Sequence, residues 1–258
     1  MPTNRDIRMK IREGKASVGT WLQLPCPEIA EIIARMGYEW AAVDLEHGAF
    51  TRACLPDMFR ALELWGTLPF ARLAEASLTQ SKYALESGAA GLIFPMIESR
   101  EQLDRAIECS IYPGGEFFGT GRRGVGFCRA NSYGQDFDSH LSNKGPGQEI
   151  VLVAQIEHIN AVQRLDEIFA HPRLDACMVG PYDLSASMGL TGRFDEPAFL
   201  DVVARIERKA EEYRIGKGYH VVWPDEAALR DKIRSGYTFL AYGMDSVFLR
   251  KGGKVPEL

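Results

Sequence analysis

Short apolar runs recur along the whole chain, separated by segments whose apolar residues repeat every three to four positions. The runs are Ser17–Leu22, Trp40–Asp44, Thr67–Leu73, Gly91–Pro95, Val151–Ile156, Ala176–Val179, Tyr219–Trp223 and Phe239–Tyr242. Runs of this length suit strands buried on both faces, as in parallel sheets. The segments Pro27–Met36, Leu55–Leu64, Gln80–Ser87, Arg100–Cys109, Asn160–Phe169, Pro197–Tyr213 and Asp225–Ser235 read as helices, and Gly37 and Gly88 stand where two of them stop. Parallel neighbours need a crossover, which a helix supplies. Eight strands alternating with helices in 258 residues predict an α/β fold closed as a (β/α)8 TIM barrel, one domain over residues 1–258. A doubly wound open sheet is the competing arrangement, but it needs a switch point and usually fewer strands.

A barrel builds its site where the strands end, so polar residues should collect there. Val151–Ile156 runs straight into Glu157, and Ala176–Val179 leads through Gly180-Pro181-Tyr182 to Asp183. On adjacent parallel strands these two carboxylates would sit side by side and repel unless a cation lies between them, and a divalent ion is the simplest candidate. The competing reading is that each caps the helix that follows. Asp44-Leu45-Glu46-His47-Gly48 follows the second strand, Arg72 ends the third, Met96-Ile97-Glu98 follows the fourth, Trp223 ends the seventh and Asp245 follows the eighth.

These residue types make one reaction class possible. A metal held by Glu157 and Asp183 can chelate a 2-oxo acid and stabilise the enolate left when C3 loses a proton. His47 titrates near neutrality and suits the proton transfer; as a lone histidine it could equally be structural. Arg72 in an apolar strand needs an anion, either developing charge on substrate or an internal partner such as Asp44 or Glu98. Addition of the enolate to an aldehyde is an aldol reaction, and the reverse is cleavage. A Schiff-base aldolase would need a lysine at a strand end, whereas Lys82, Lys144, Lys209, Lys217 and Lys232 are expected in helices or loops.

Composition narrows the alternatives. A net charge of −5 and a pI near 5.6 argue against a general nucleic-acid binder. No apolar run is long enough to cross a membrane, and the first residues, MPTNRDIRMKIREGK, lack a signal-peptide apolar stretch, so a cytoplasmic protein is expected. Cys26, Cys54, Cys109, Cys128 and Cys177 show no CxxC spacing and read as reduced thiols. The glycine-rich stretch Gly114–Gly126 contains Gly119-x-Gly121-x-x-Gly124, but no strand precedes it and no helix follows it directly, so it is not read as a dinucleotide fingerprint. It reads as a flap at the barrel mouth, with Phe117, Phe118, Arg122 and Arg123 toward the aldehyde pocket. The plainer readings are a mobile surface loop or a subunit contact.

Six motifs occur in order: Gly19-x-Trp21, Asp44-x-Glu46-His47, Phe94-Pro95-Met96, Arg123-Gly124-Val125-Gly126, Gln155-Ile156-Glu157 and Gly180-Pro181-x-Asp183-Leu184-Ser185-x-Ser187-Met188-Gly189. Together the chain resembles the HpcH/HpaI class II pyruvate aldolases from about Gly19 to Asp245. The resemblance implies a barrel of the phosphoenolpyruvate/pyruvate superfamily using Mg2+, Mn2+ or Co2+. It implies His47 as acid/base residue, Arg72 as stabiliser of the transition state, and Glu157 and Asp183 as metal ligands. Gln155 and the backbone around Tyr182 and Asp183 would contact the 2-oxo acid, and Glu86, in Leu85-Glu86-Ser87-Gly88, aligns with an aspartate that raises the basicity of the histidine. A 2-oxo acid and an aldehyde would be the small-molecule partners, in a homo-oligomer, hexamer or trimer. Two departures stand out: the loop from Tyr112 to Arg122 is longer than in relatives, and with Gly252, Gly253 and Pro256 near the end the C-terminal helix must be shortened. An acyl-CoA lyase of the citrate lyase or malyl-CoA lyase type would need a basic path for phosphates, for which only Arg122, Arg123 and Arg129 offer themselves. A non-catalytic barrel that binds a 2-oxo acid would have no need of the base.

Overall fold

A computed structural model describes residues 2–113, 121–142 and 144–253. Eight parallel strands close into a barrel in sequence order, with β8 pairing back onto β1. In chain order the elements are α1 (Asn4–Arg12), β1 (Ser17–Leu22), α2 (Pro27–Ala34), β2 (Trp40–Asp44), α3 (Leu55–Glu63), β3 (Leu68–Arg72), α4 (Leu78–Ser87), β4 (Gly91–Phe94), α5 (Arg100–Glu108) and α6 (Phe137–Leu141). There follow β5 (Val151–Ile156), α7 (Ile159–Gln163), α8 (Leu165–Phe169), β6 (Ala176–Val179), α9 (Pro181–Ser187), α10 (Pro197–Glu212), β7 (Gly216–Val221), α11 (Glu226–Arg234), β8 (Phe239–Met244) and α12 (Asp245–Gly252).

Strands buried on both faces supply two apolar layers. Outward residues such as Val43, Ala71, Leu92, Leu152 and Cys177 pack against the helices, while Trp40, Phe70, Ile93, Val153, Met178 and Phe239 fill the barrel. Trp40 stacks on Phe239 at 4.3 Å and on Phe70 at 5.3 Å between ring centroids. Such bulk inside a closed barrel needs small residues beside it. A Cβ at Gly19 would lie 2.1 Å from the Trp40 ring, and one at Gly91 would lie 2.6 Å from Phe70.

The start of the chain forms α1, an element the strand-helix pattern does not announce. Thr3 and Asp6 make a capping box, with Asp6 N donating to Thr3 Oγ1 at 3.3 Å and Thr3 N to Asp6 Oδ2 at 2.7 Å. The helix closes the lower end of the barrel, where the strands begin. Ile7 and Ile11 join the interior cluster, each contributing roughly 1.5–3 kcal/mol by burial. Beside them Arg8 bonds Asp175 at 2.9 Å and Glu149 at 2.5 Å, and Arg173 bonds Asp175 at 2.8 Å.

Several expectations need correction. Residues 159–169 form two short helices, broken at Arg164 (φ −117°, ψ 19°). The seventh strand starts at Gly216, so Lys217 lies in a strand and not in a helix or loop. Gly-Lys-Gly carries no strand signal, yet a Cβ at Gly216 would lie 2.4 Å from Ile11, so close packing against α1 decides the residue. Lys217 sits at the lower end, its Nζ bonded to Glu211 at 2.5 Å and to the Ser235 carbonyl at 2.8 Å, far from the rim where a Schiff base would form.

The glycine-rich stretch is corrected too. Residues 121–126 lie between the end of α5 and the start of β5, on the lower face and not at the mouth. Arg122 N donates to the Glu108 carbonyl at 2.7 Å and Arg123 N to that of Ile111 at 3.1 Å. An α-to-β connection must return the chain to the start of the next strand, which puts it at the opposite end from the site. Phe117 and Phe118 lie outside the described residues. The C-terminal helix is present and short, from Asp245 to Gly252, as the glycines there require.

Candidate active site

At the upper rim, β2 and β3 pair Asp44 with Arg72 in register. Arg72 Nε donates to Asp44 Oδ1 at 2.9 Å and Nη2 to Oδ2 at 2.5 Å. Its Nη1 lies 3.1 Å from Glu46 Oε2, and its guanidinium carbon sits 5.3 Å from the centre of the Trp21 ring. Asp44 Oδ1 also accepts the backbone N–H of Glu46 and His47, each at 3.1 Å, closing the turn that carries His47. Burial pushes the Asp44 carboxyl up, but the Arg72 hydrogen bond and charge outweigh it and hold the group below the usual carboxylate range. The imidazole of His47 is exposed at the mouth, beside Glu46.

Across the rim, Glu157 is almost wholly buried. Its Oε1 accepts Gln155 Nε2 at 3.0 Å and its Oε2 accepts Met96 N at 2.9 Å. Met96 holds this amide in place from a left-handed backbone (φ 51°), a conformation unusual for a residue with a side chain. Gly180 lets the carboxylate lie against β6, since a Cβ there would be 2.2 Å from Glu157 Oε1. Burial, opposed by the Met96 hydrogen bond and reinforced by Glu46 and Asp183, raises the Glu157 carboxyl to about 7. Burial likewise raises Glu46. Asp183 lies in the first turn of α9, exposed to the mouth next to Tyr182.

The arrangement fits a cation. A buried carboxylate faces two more carboxylates, and Gln155 Oε1 is buried without a hydrogen-bond partner, an acceptor waiting for a positive or donating group. Among the described residues no group of three or more His, Cys, Asp or Glu side chains is placed to hold a metal ion. Two carboxylates with the other positions open is instead the pattern of an oxygen-bound ion that keeps its waters for substrate to replace. The side chains available are Glu157 and Asp183.

His47, Arg72, Gln155, Glu157, Tyr182 and Asp183 thus share one end of the barrel. Glu86 does not join them. It lies near the end of α4, which runs down from β3, and its carboxylate is 3.8 Å from Lys82 Nζ. Sequence reasoning misses two residues of the rim. Gln23 follows β1 and donates from Nε2 to Asp44 Oδ2 at 3.3 Å; a polar residue one position past an apolar run is the signal that marks it. His220 stacks on Trp21 at 5.1 Å and its Nε2 is 2.9 Å from the Gly243 carbonyl; the expected strand 219–223 starts three residues and ends two residues late, which puts Trp223 rather than His220 at the rim.

The sequence matches the HpcH/HpaI aldolase/citrate lyase family over residues 17–251. The chain belongs to this family. It is accordingly a carbon–carbon lyase of the aldolase type. A 4-hydroxy-2-oxovalerate aldolase of Novosphingobium aromaticivorans is 32% identical, covering 97% of this chain and 92% of that one. A hydroxypyruvate/pyruvate aldolase of Pseudomonas aeruginosa is 31% identical over 97% and 90%. The crystal structure of an HpcH/HpaI aldolase/citrate lyase family protein from Burkholderia cenocepacia J2315 superposes with a TM-score of 0.88 at 26% identity, over 96% of this chain and 95% of that one. Among the described residues of this family member, no helix is long and apolar enough to cross a membrane.

Proposed function

We propose that the chain is a divalent-cation-dependent aldolase that reversibly cleaves a 4-hydroxy-2-oxo acid into pyruvate, or a close 2-oxo acid, and an aldehyde. The observation that carries this reading is Glu157, a buried carboxylate against Glu46 and Asp183, with the unpartnered Gln155 oxygen beside it. Glu157 and Asp183 would hold Mg2+, Mn2+ or Co2+, and the ion when bound would supply Lewis-acid polarisation of the 2-oxo group. His47 takes the proton of the C4 hydroxyl, the C3–C4 electron pair moves to C3, and the aldehyde leaves. His47 then returns the proton at C3, which completes pyruvate. Arg72, already fixed on Asp44, holds the negative charge that develops on the substrate oxygens. Gln155 and the backbone N–H groups of Tyr182 and Asp183 contact the 2-oxo acid. Glu86 has no role in this reading of a single chain.

An acyl-CoA lyase fits less well. Of the three arginines that would form a phosphate path, Arg123 is buried and Arg129 is bonded to Glu63, both on the lower face. Five free cysteines support a reducing compartment, such as the cytoplasm. A homo-oligomer is the proposed assembly, supported by the exposed Phe127 and Tyr133, and its mass in solution tests it. A pyruvate-release assay with a panel of aldehydes, with and without chelator, tests the activity. Chelator-resistant turnover would sink the cation-dependent mechanism.

A further inference from the structure

The Asp44–Arg72 pair is itself held from the far side, by residues that belong to the seam where the barrel closes. The β1–β8 ladder shifts register between Gly19 and Trp21, and Gly243 just beyond adopts φ 67°. A bulge of this kind bends the strand and re-aims the side chains that follow it. Asp245, two residues on, is turned inward and buried. Its Oδ1 accepts Gln23 N at 2.9 Å, and its Oδ2 accepts Gln23 N at 3.0 Å and Leu24 N at 2.9 Å. Gln23 is then gripped at both ends of its side chain. Ser246 Oγ donates to Gln23 Oε1 at 3.1 Å, and Gln23 Nε2 donates to Asp44 Oδ2, the oxygen that also takes Arg72 Nη2. The amide can point only one way, because an ionised Asp44 accepts and cannot donate.

We propose that Gln23 and Asp245 are positioning residues for the reaction, fixing through Asp44 the plane and height at which Arg72 meets the substrate oxygens. Neither touches substrate in this scheme. The chain Asp245–Gln23–Asp44–Arg72 spans the ends of β8, β1, β2 and β3, so a shift at the closing seam is transmitted to the guanidinium. Without Gln23 the carboxylate keeps Arg72 but loses its only side-chain anchor on the β1 side among the described residues, and the pair can pivot. Misplacement of a charge-stabilising group lowers turnover more than ground-state binding.

The inference rests on the role given above to Arg72, and a double-mutant cycle separates the two. The readout is exchange of the C3 protons of pyruvate with solvent deuterium, in the presence of Mg2+. Gln23→Leu keeps the side-chain volume and is expected to slow exchange about 10-fold, with KM for pyruvate little changed. In an Arg72→Lys background the same substitution should add nothing further, because the group it positions is gone. Asp245→Asn should act in the same direction, and melting temperatures identify any variant whose loss is merely unfolding. Unchanged exchange in Gln23→Leu, or a loss that adds in full to that of Arg72→Lys, overturns the positioning role while leaving Arg72 in place. Unchanged exchange in Arg72→Lys alone removes the role of Arg72, and this inference with it.

Discussion

Arg72 grips Asp44 with two parallel hydrogen bonds, and the same Asp44 oxygen that takes Arg72 Nε takes the backbone N–H of His47. One buried carboxylate therefore sets the position of both the Arg72 guanidinium and the turn that carries His47. Lysine can replace the charge of Arg72 but not its fork. Arg72→Lys should lower kcat/KM by roughly 10–100-fold while the protein stays folded, as steady-state kinetics and a melting curve would show. Asp44→Ala should be worse on both counts, since it leaves the largely buried guanidinium with Glu46 as its remaining carboxylate partner among the described residues, and should cost about 3 kcal/mol of stability by denaturant unfolding.

Replacing His47 should separate chemistry from binding. His47→Ala is expected to slow exchange of the pyruvate C3 protons by about 10²–10⁴-fold without abolishing cation binding. Exchange at the wild-type rate would reassign the proton transfer to another group.

The cation reading predicts that Glu157→Gln and Asp183→Asn each lose measurable Mg2+ or Mn2+ binding by titration calorimetry. Activity of the unaltered protein should vanish in chelator and return with added cation. Wild-type affinity in either variant would take that residue out of the ligand set.

Gly180→Ala is a sharper test of the same geometry. The backbone at Gly180 (φ −92°) tolerates alanine, but the new Cβ would lie 2.2 Å from Glu157 Oε1. The carboxylate must move, so cation affinity should fall by about 10-fold or more with only a modest drop in melting temperature. Unchanged affinity would show that Glu157 is held less rigidly than Gln155 and Met96 suggest.

Stability should fall in mild acid. Burial lowers His140 and His171 from the usual 6.5 to about 4. The folded state therefore binds fewer protons than the unfolded chain between these values. The contribution is fully present above about 6.5 and is lost as pH falls toward 4, by roughly 1–3 kcal/mol for each histidine. Urea unfolding from pH 7 to 4.5 should show this slope, and His140→Gln should flatten it.

Much of this protein is legible in one dimension. Eight apolar runs with helices between them imply a closed barrel, because strands buried on both faces have to be parallel and covered. Residues standing just past those runs, among them His47, Glu157 and Asp183, mark the rim because side chains after a strand have nowhere else to point. Tertiary structure alone decided the rest. Lys217 reads as a loop residue and becomes a strand residue, because α1 packs onto Gly216. The glycine-rich segment looks like a lid, yet its described part lies on the lower face, since direction along the barrel is a property of connectivity and not of composition. Glu86 and His47 are far apart for the same reason: α4 carries one away from the rim that holds the other. The Asp245–Gln23–Asp44 chain depends on a bulge at the seam between the first and last strands, and contacts more than 200 residues apart in sequence form only when the barrel closes.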